Sequence, residues 1–553
     1  GADTVVAGGP VARATSDSGR APAAAPPAAA PTATTAAPSV TSVTTSPIRA
    51  DTLVVATPRV TYRFSTAGAV PLGARLESFH ALTKGGGKVE LTRPGVPLMR
   101  FGVLSASRDT TWLDRVPFTA DTSVRGVGGT PVVTFRGAAG RDTVAITYTF
   151  SPDSYLVRVS GRVASAAAAE RALLISMPEG LNSAEVDTAE DERHLSYVVK
   201  PVRDDPTNVD FHGLNAGAAR MESGPLDWVA SKNKYFVAIV LSDTARSPFA
   251  GAVLTGGPRE PKAIATRASA TVVQPLASNG TFGFTLYTGP QEWRRLLALG
   301  HDLENVNPYG GFFRPIIQPF ATLLMRLLLW AHDRFHVNYG WVVVVLGVAI
   351  RVLLWPLNQS AMRAQLRLQR IQPELQEIQK RYKNTPEKLQ SEMMRLYRDH
   401  GMSPFSPLAG CLPMLIPMPV LYALYYVFQN TIEFRGVSFL WLADISQRDP
   451  YYILPILMGV SMFLLSWIGL RSSPPNAQAK MMAYAMPVVL TVLFVKFAAG
   501  LNLYYAVQNI AALPQQWLIA GERAKVSTPA ASAGSPGAGA GSGAGATGTV
   551  RRT

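Results

Sequence analysis

The run WVVVVLGVAIRVLLWPL, at residues 341–357, decides the fold of this 553-residue chain. It contains one charged residue, Arg351, and approaches the roughly 20 residues that a helix needs to cross a bilayer. Four more apolar runs follow, and the last two are joined by a tight turn at Gly500. We predict an α-helical membrane bundle of five transmembrane helices. They are Trp341–Leu357, Leu408–Phe428, Ile453–Leu470, Met482–Ala498 and Leu501–Ile519.

The sequence before this bundle has a different periodicity. From 51 to 295, apolar residues alternate with small or polar ones, as Val144, Ile146, Tyr148 and Phe150 do. A period of two, broken by Gly- and Asn-rich turns, is typical of half-buried antiparallel strands. We therefore predict an all-β sandwich domain at 51–295.

The remaining segments have simple compositions. Residues 1–50 are rich in Ala, Pro and Thr, and residues 523–553 are rich in Gly and Ala, so both are predicted to be disordered. The segment 305–337 is apolar but interrupted by prolines and charges, which favours an amphipathic helix at the membrane interface. The membrane domain is expected to span 338–522.

The distribution of charge orients the predicted bundle. The loop 359–403 carries nine basic residues, whereas the loop 430–452 carries Arg435 and Arg448 alone. The positive-inside rule places 359–403 in the cytoplasm, and the β domain then lies outside, in the periplasm of a Gram-negative cell. Apolar residues recur at helical spacing within 359–403, and Thr385-Pro386 is suited to begin a helix. We predict a cytoplasmic helical hairpin there.

Arg351 is the first candidate functional residue. A charge in the middle of a span costs about 2.5–3.5 kcal/mol on insertion scales, and the other four predicted spans contain no Asp or Glu to neutralise it. We expect it to face a hydrated cavity. The alternative is that it bonds backbone carbonyls or extends toward the interface.

A polar stripe on the last predicted span supplies the other candidates. Tyr505, Gln508 and Asn509 follow helical spacing near one face, with Asn502 a turn earlier. Such residues can equally form hydrogen bonds between helices and do no more than hold a bundle together. Beside an arginine without a carboxylate, a hydrated groove that binds substrate is the better interpretation. Pro413, Pro417 and Pro419 in the second span would let that helix bend beside the groove.

Several chemistries are disfavoured. The one cysteine, Cys411, excludes a disulfide within the chain and a cysteine-based zinc site. None of the seven histidines lies in a predicted span, and neither HExxH nor a Walker A motif occurs. We therefore predict no enzyme, no metal and no cofactor. A small channel or transporter is the alternative function, although proton-coupled transporters normally need an intramembrane carboxylate.

The residues also resemble a known family, the YidC-type membrane protein insertases of Gram-negative bacteria, within the wider YidC/Oxa/Alb family. The resemblance is strong over about 300–520 and weak over 51–295. The runs that carry it are Tyr339-Gly340-Trp341, Arg351 with Pro356-Leu357, Gly410-Cys411-Leu412-Pro413 with Met418-Pro419, Asp449–Val460, and Gly500-Leu501 with Leu503-Tyr504-Tyr505 and Asn509.

The resemblance implies an insertase and chaperone of the cell inner membrane that uses no nucleotide. Arg351 would be the groove arginine and Tyr505 a tyrosine that contacts substrate, while the β domain would be a supersandwich like that of sugar mutarotases. The implied partners are nascent integral membrane proteins, the Sec translocon, the ribosome and membrane lipids, with no nucleic acid. Two departures stand out. The first transmembrane helix of the family is absent before residue 51, so we expect that the start was lost, and Pro417 replaces a polar Gln of some relatives.

Overall fold

The structure is a computed structural model. It describes residues 51–83, 85–123, 126, 129–164, 172–177, 179–243, 248–258, 267–307, 313–360, 371–401, 418–471 and 477–527. The predicted N-terminal tether, most of the predicted C-terminal tail, and Cys411, Pro413 and Pro417 lie outside these residues.

The first part of the described chain is built of antiparallel strands, as the period-two pattern predicts. The strands are β1 Thr52–Ala56, β2 Val60–Ser65, β3 Val70–His80, β4 Lys88–Glu90, β5 Arg100–Leu104, β6 Thr110–Trp112, β7 Phe118–Asp121, β8 Val132–Ala139, β9 Asp142–Phe150, β10 Leu156–Ala164, β11 Ala172–Met177, β12 Ser196–Pro201, β13 Thr207–Asp210, β14 Ala219–Lys232, β15 Phe236–Ser242, β16 Phe249–Gly256, β17 Ala268–Pro275 and β18 Thr281–Pro290.

The strands form two sheets. A four-stranded sheet runs β1-β2-β3-β4, and a 14-stranded sheet runs β6-β5-β11-β17-β16-β14-β15-β18-β10-β9-β8-β7, with β12 and β13 attached at β14. In β9, Val144, Ile146, Tyr148 and Phe150 are all buried, which confirms the alternation that the sequence predicts. The rings of Tyr148 and Phe150 pack against Phe64 and Tyr62 in β2 of the smaller sheet, so one apolar core joins the two sheets.

The second part of the described chain is helical. Short helices α1 (Thr188–Arg193) and α2 (Trp293–Leu299) belong to the β part. The later helices are α3 Arg314–Phe335, α4 Tyr339–Leu353, α5 Gln372–Arg381, α6 Pro386–Asp399, α7 Met418–Asn430, α8 Ile453–Arg471, α9 Ala477–Phe494 and α10 Ala499–Ser527. The helices α5 and α6 confirm the two helices predicted within 359–403.

The helices match the five predicted spans only in part. Among the described residues, Ile453–Leu470 in α8 is the one segment within a single helix that is long and apolar enough to cross a membrane. The helices α3 and α4 pass the same test as a pair, but they meet at a bend of 120°. In the predicted second span, α7 begins at Met418, and 408–417 lie outside the described residues. The structure therefore confirms that the second part of the chain is helical. It does not confirm that this part has five membrane-spanning helices.

The predicted turn at Gly500 is wrong. The chain turns at 495–498 instead, and Gly500 is the second residue of α10. A Cβ atom at Gly500 would lie 2.6 Å from Cε1 of Phe428, so this glycine allows α10 to approach α7 closely. The same helix continues to Ser527, five residues into the segment predicted to be a disordered tail.

The β domain and the helices contact each other through a buried ion pair. The Nε atom of Arg435, in the loop after α7, donates to Oε1 of Glu185 at 2.7 Å, and both side chains are almost fully buried. Arg435 also donates through Nη2 to the carbonyl of His80 at 2.9 Å. Nearby, the hydroxyl of Tyr235 donates to Oγ of Ser446. These contacts fix the β domain on the ends of the helices.

Candidate functional site

Helix α4 positions Arg351. The side chain of Asn338 caps its first turn by accepting from the N–H of Gly340. Farther along, a Cβ atom at Gly347 would lie 3.0 Å from Cγ1 of Val507, so the glycine permits close packing of α4 against α10. Arg351 lies one turn beyond Gly347, in the last turn of α4, and therefore meets the polar side chains of α10.

Arg351 has a neutral partner. Its Nη2 donates to Oε1 of Gln515 in α10 at 2.8 Å. Gln515 is fully buried, and its Nε2 donates to the carbonyl of Trp355 at 3.2 Å and to Oε1 of Gln359 at 3.4 Å. Because an amide carries no charge, this contact orients the guanidinium without neutralising it. The Nε atom of Arg351 is buried and has no hydrogen-bond partner among the described residues.

Two further side chains lie on the face of α10 that meets α4. The Nε2 atom of Gln508 donates to the hydroxyl of Tyr504 at 2.9 Å, and the ring of Tyr504 lies beside Gly347. Tyr504, Gln508 and Gln515 are separated by four and seven residues, the spacing of one helix face. The predicted candidate Gln508 therefore belongs to the same polar cluster as Arg351.

The other predicted candidates contact helices other than α4. Asn509 donates to the carbonyl of Met458 in α8 at 3.4 Å, and Asn502 donates to the carbonyl of Phe494 in α9 at 3.1 Å. The ring of Tyr505 packs against the ring of Phe494, with centroids 5.1 Å apart. These three contacts connect α10 to α8 and α9.

The sequence-based prediction missed Tyr504 and Gln515. Both could have been found by extending the helical spacing in both directions from Gln508. Tyr504 was passed over in favour of the neighbouring Tyr505, and Gln515 lies a full two turns after Gln508, close to Pro514. No group of three or more His, Cys, Asp or Glu side chains that could hold a metal ion occurs among the described residues.

Comparison with known proteins agrees with this architecture. Residues 52–323 match the family model of the YidC periplasmic domain, and residues 330–525 match that of the 60Kd inner membrane protein. A membrane protein insertase YidC of Prosthecochloris aestuarii is 32% identical over 406 residues, which cover 70% of this chain and 68% of the relative. The chain belongs to the YidC family of membrane protein insertases. The family is one of inner-membrane proteins, and the β domain is its periplasmic domain.

Two further comparisons involve YidC insertases. The YidC insertase of Anaeromyxobacter sp. strain Fw109-5 is 32% identical over 407 residues, covering 72% of this chain and 70% of the relative. A crystal structure of a YidC insertase aligns over 84% of this chain and 92% of its own, at 19% identity and a TM-score of 0.35.

Proposed function

We propose that this chain inserts integral membrane proteins into the inner membrane, and helps them fold, through a hydrated groove between α4 and α10. The observation that carries the proposal is Arg351, a charged side chain in an apolar helix whose hydrogen-bond partner is the neutral Gln515. An uncompensated positive charge is suited to attract acidic residues of a segment that must cross the membrane.

The mechanism requires no bond to be made or broken. A polar tail of the client enters the groove, and Arg351 attracts its acidic residues, with about 1–4 kcal/mol for unit charges 4 Å apart in surroundings between bulk water and a protein surface. The apolar helix of the client then leaves the groove sideways into lipid, driven by burial of apolar surface. Gln515 holds the guanidinium in position, and Gln508 and Tyr504 extend the polar wall. Reconstitution of the purified chain in liposomes, with a small single-span client, tests this activity directly, and ion flux without insertion would favour a channel.

The proposed topology has five spans, with the β domain in the periplasm and the C-terminus in the cytoplasm. The basic residues of 359–403 support this orientation. The proposed partners are nascent membrane proteins, which the cytoplasmic hairpin of α5 and α6 would meet first, together with the Sec translocon and the ribosome.

Cysteine labelling tests the orientation. In a Cys411→Ser background, Glu377→Cys and Lys388→Cys place thiols on exposed positions of α5 and α6, and Ala106→Cys places one on the β domain. We expect a membrane-impermeant maleimide added to spheroplasts to label Ala106→Cys alone, and the other two only after lysis. Labelling of α5 or α6 in intact spheroplasts would overturn the topology.

Removal of the β domain tests where the insertion activity resides. A variant that lacks 51–290 but keeps α3 and has an N-terminal anchor should insert clients at a rate close to that of the parent. The physical reason is that Arg351, Gln508 and Gln515 all lie after residue 338. The deletion also exposes Arg435 to water, so the loss of Glu185 does not leave the charge of Arg435 buried without a partner. Loss of insertion by a variant that still melts cooperatively would contradict this prediction.

A further inference from the structure

Two adjoining cavities lie where the β domain meets the ends of the helices. Their volumes are about 510 Å³ and 600 Å³, and both are bounded by Arg193, His194, Tyr425 and Gln429. We call them together the basic cleft. Its six cationic side chains come from both parts of the chain, and three acidic side chains also line it. The cationic residues are Arg193, Lys232, Lys234, Arg314, Arg448 and Lys496.

Two of the cleft lysines are buried without an anionic partner. Lys232 and Lys234 are 6% and 4% exposed. Among the described residues, neither ammonium group forms an ion pair. That of Lys234 lies 5.1 Å from the ring centroid of Tyr235, and the carboxylates of Glu190, Glu185, Asp191 and Asp444 act on it from beyond ion-pair distance. The backbone holds both in place, because Lys232 ends β14 and the N–H of Lys234 donates to Oδ1 of Asp191 at 3.0 Å.

The acidic residues that line the cleft are already engaged. Glu190 pairs with Arg193 at 3.1 Å, and Asp187 pairs with Arg448 at 2.7 Å. The third, Asp210, accepts from the side chain of Asn208 and lies beyond ion-pair distance of Lys232. Outside the lining, Asp205 pairs with Arg314 at 3.6 Å, and Glu185, Asp191 and Asp444 act on Lys234 from beyond ion-pair distance. Among the side chains that line the cleft, the cationic ones outnumber the acidic ones, so positive charge is in excess there.

Burial has a measurable consequence for Lys232. It lowers the pKa of this ammonium group to about 8, so the group is still mainly protonated at pH 7. A buried charge without a partner is unfavourable, and a bound anion would compensate it. His194, in contrast, has its pKa lowered to about 4 by burial, so its ring is neutral at pH 7 and adds no charge.

The position of the cleft indicates which anion it binds. Arg314, on its wall, begins α3, and the outer face of α3 exposes Ile316, Phe320 and Leu323 directly after it. A positively charged site next to an exposed apolar helix face is complementary to an amphiphile, whose anionic head binds the charges and whose apolar chains contact the helix. Tyr425 and Tyr426 also line the cleft, and tyrosine side chains favour the boundary between membrane and water.

We propose that the basic cleft binds the phosphate headgroup of an anionic phospholipid, with Lys232 and Arg314 of one cavity around the phosphate, Lys234 of the adjoining cavity adding positive charge beside it, and the acyl chains along the exposed face of α3. This site is separate from the Arg351 groove and does not depend on the insertase mechanism. A bound lipid would connect the periplasmic domain to the outer leaflet.

Native mass spectrometry of the full chain in detergent tests the proposal. The probes are dihexanoyl phosphatidylglycerol, dihexanoyl phosphatidylcholine, inorganic phosphate and an acidic peptide. We expect phosphatidylglycerol to bind at least about tenfold more tightly than phosphatidylcholine or inorganic phosphate. Lys232→Gln with Lys234→Gln should weaken that binding about tenfold or more, since each removes a buried charge that faces the headgroup.

Matched controls separate this effect from misfolding. Lys200→Gln removes another buried lysine of the same sheet, which pairs with Asp302 at 3.2 Å outside the cleft, and it should bind lipid like the parent. Arg314→Gln tests the site from a different element if the double variant fails to fold. Equal phosphatidylglycerol binding by the parent and the cleft variants would overturn the proposal. Inorganic phosphate binding as tightly as the lipid, or a cleft that takes the acidic peptide and not the lipid, would overturn it as well.

Discussion

Arg351→Ala is expected to reduce the insertion of a client with an acidic translocated segment by about tenfold or more, which corresponds to the loss of about 1.4 kcal/mol of attraction. The same client with its acidic residues replaced should be affected much less, because the movement of an apolar helix into lipid does not depend on the arginine. Arg351→Lys should retain much of the activity, since it keeps the charge although it loses the guanidinium geometry. The measurement is the insertion rate of both client forms into proteoliposomes.

A second substitution separates charge from shape at the same site. Gln515→Glu has nearly the same shape as the parent side chain and places a carboxylate about where Oε1 now accepts from Arg351. It should reduce insertion of the acidic client to a similar degree as Arg351→Ala, because it neutralises the guanidinium without removing it. Gln516→Glu is the matched control, since Gln516 faces Gly469 of α8 and not α4.

The competing structural interpretation predicts a different pattern. If Arg351 only stabilises the contact between α4 and α10, Arg351→Ala lowers the melting temperature, and both client forms lose insertion equally. Unchanged insertion of both client forms by Arg351→Ala and by Gln515→Glu would show that the groove charge has no role.

The second large effect is expected at the contact between the β domain and the helices. Glu185→Ala should lower the free energy of unfolding by about 3–5 kcal/mol, because it leaves the charge of Arg435 buried without its carboxylate. The double variant Glu185→Ala with Arg435→Met should lose less, since it removes the unpaired charge as well. Thermal unfolding of the full chain in detergent measures the stability of the parent, of Glu185→Ala and of the double variant.

An exposed ion pair in the same region is the control for this prediction. Arg448 pairs with Asp187 at 2.7 Å, but its side chain is 57% exposed. Arg448→Ala should cost less than about 1 kcal/mol, as is usual for surface pairs. A loss as large as that of Glu185→Ala would contradict the role assigned to burial, and so would a double variant less stable than Glu185→Ala alone.

Local patterns in the sequence determined the elements of this protein. Alternation in β9 and helical spacing in α5 and α6 predicted those elements because a residue inside a strand or helix meets its surroundings with the period of that element. The absence of carboxylates from the predicted spans likewise singled out Arg351 without any knowledge of packing. These inferences rest on residues close together in the chain, so the sequence alone was sufficient.

Tertiary structure decided which surfaces the elements share. Helical spacing grouped Tyr505, Gln508 and Asn509, but α4 packs on one side of α10 and α8 on the other, so the group is divided between two contacts. The sequence predicted a turn at Gly500 because glycine is common in turns. In the structure, this glycine instead allows Phe428 to lie close to α10. The basic cleft joins Lys232 to Arg314 and Tyr425 across almost 200 residues. No periodic pattern extends over such a distance, because these residues are brought together only when the β domain packs on the helices.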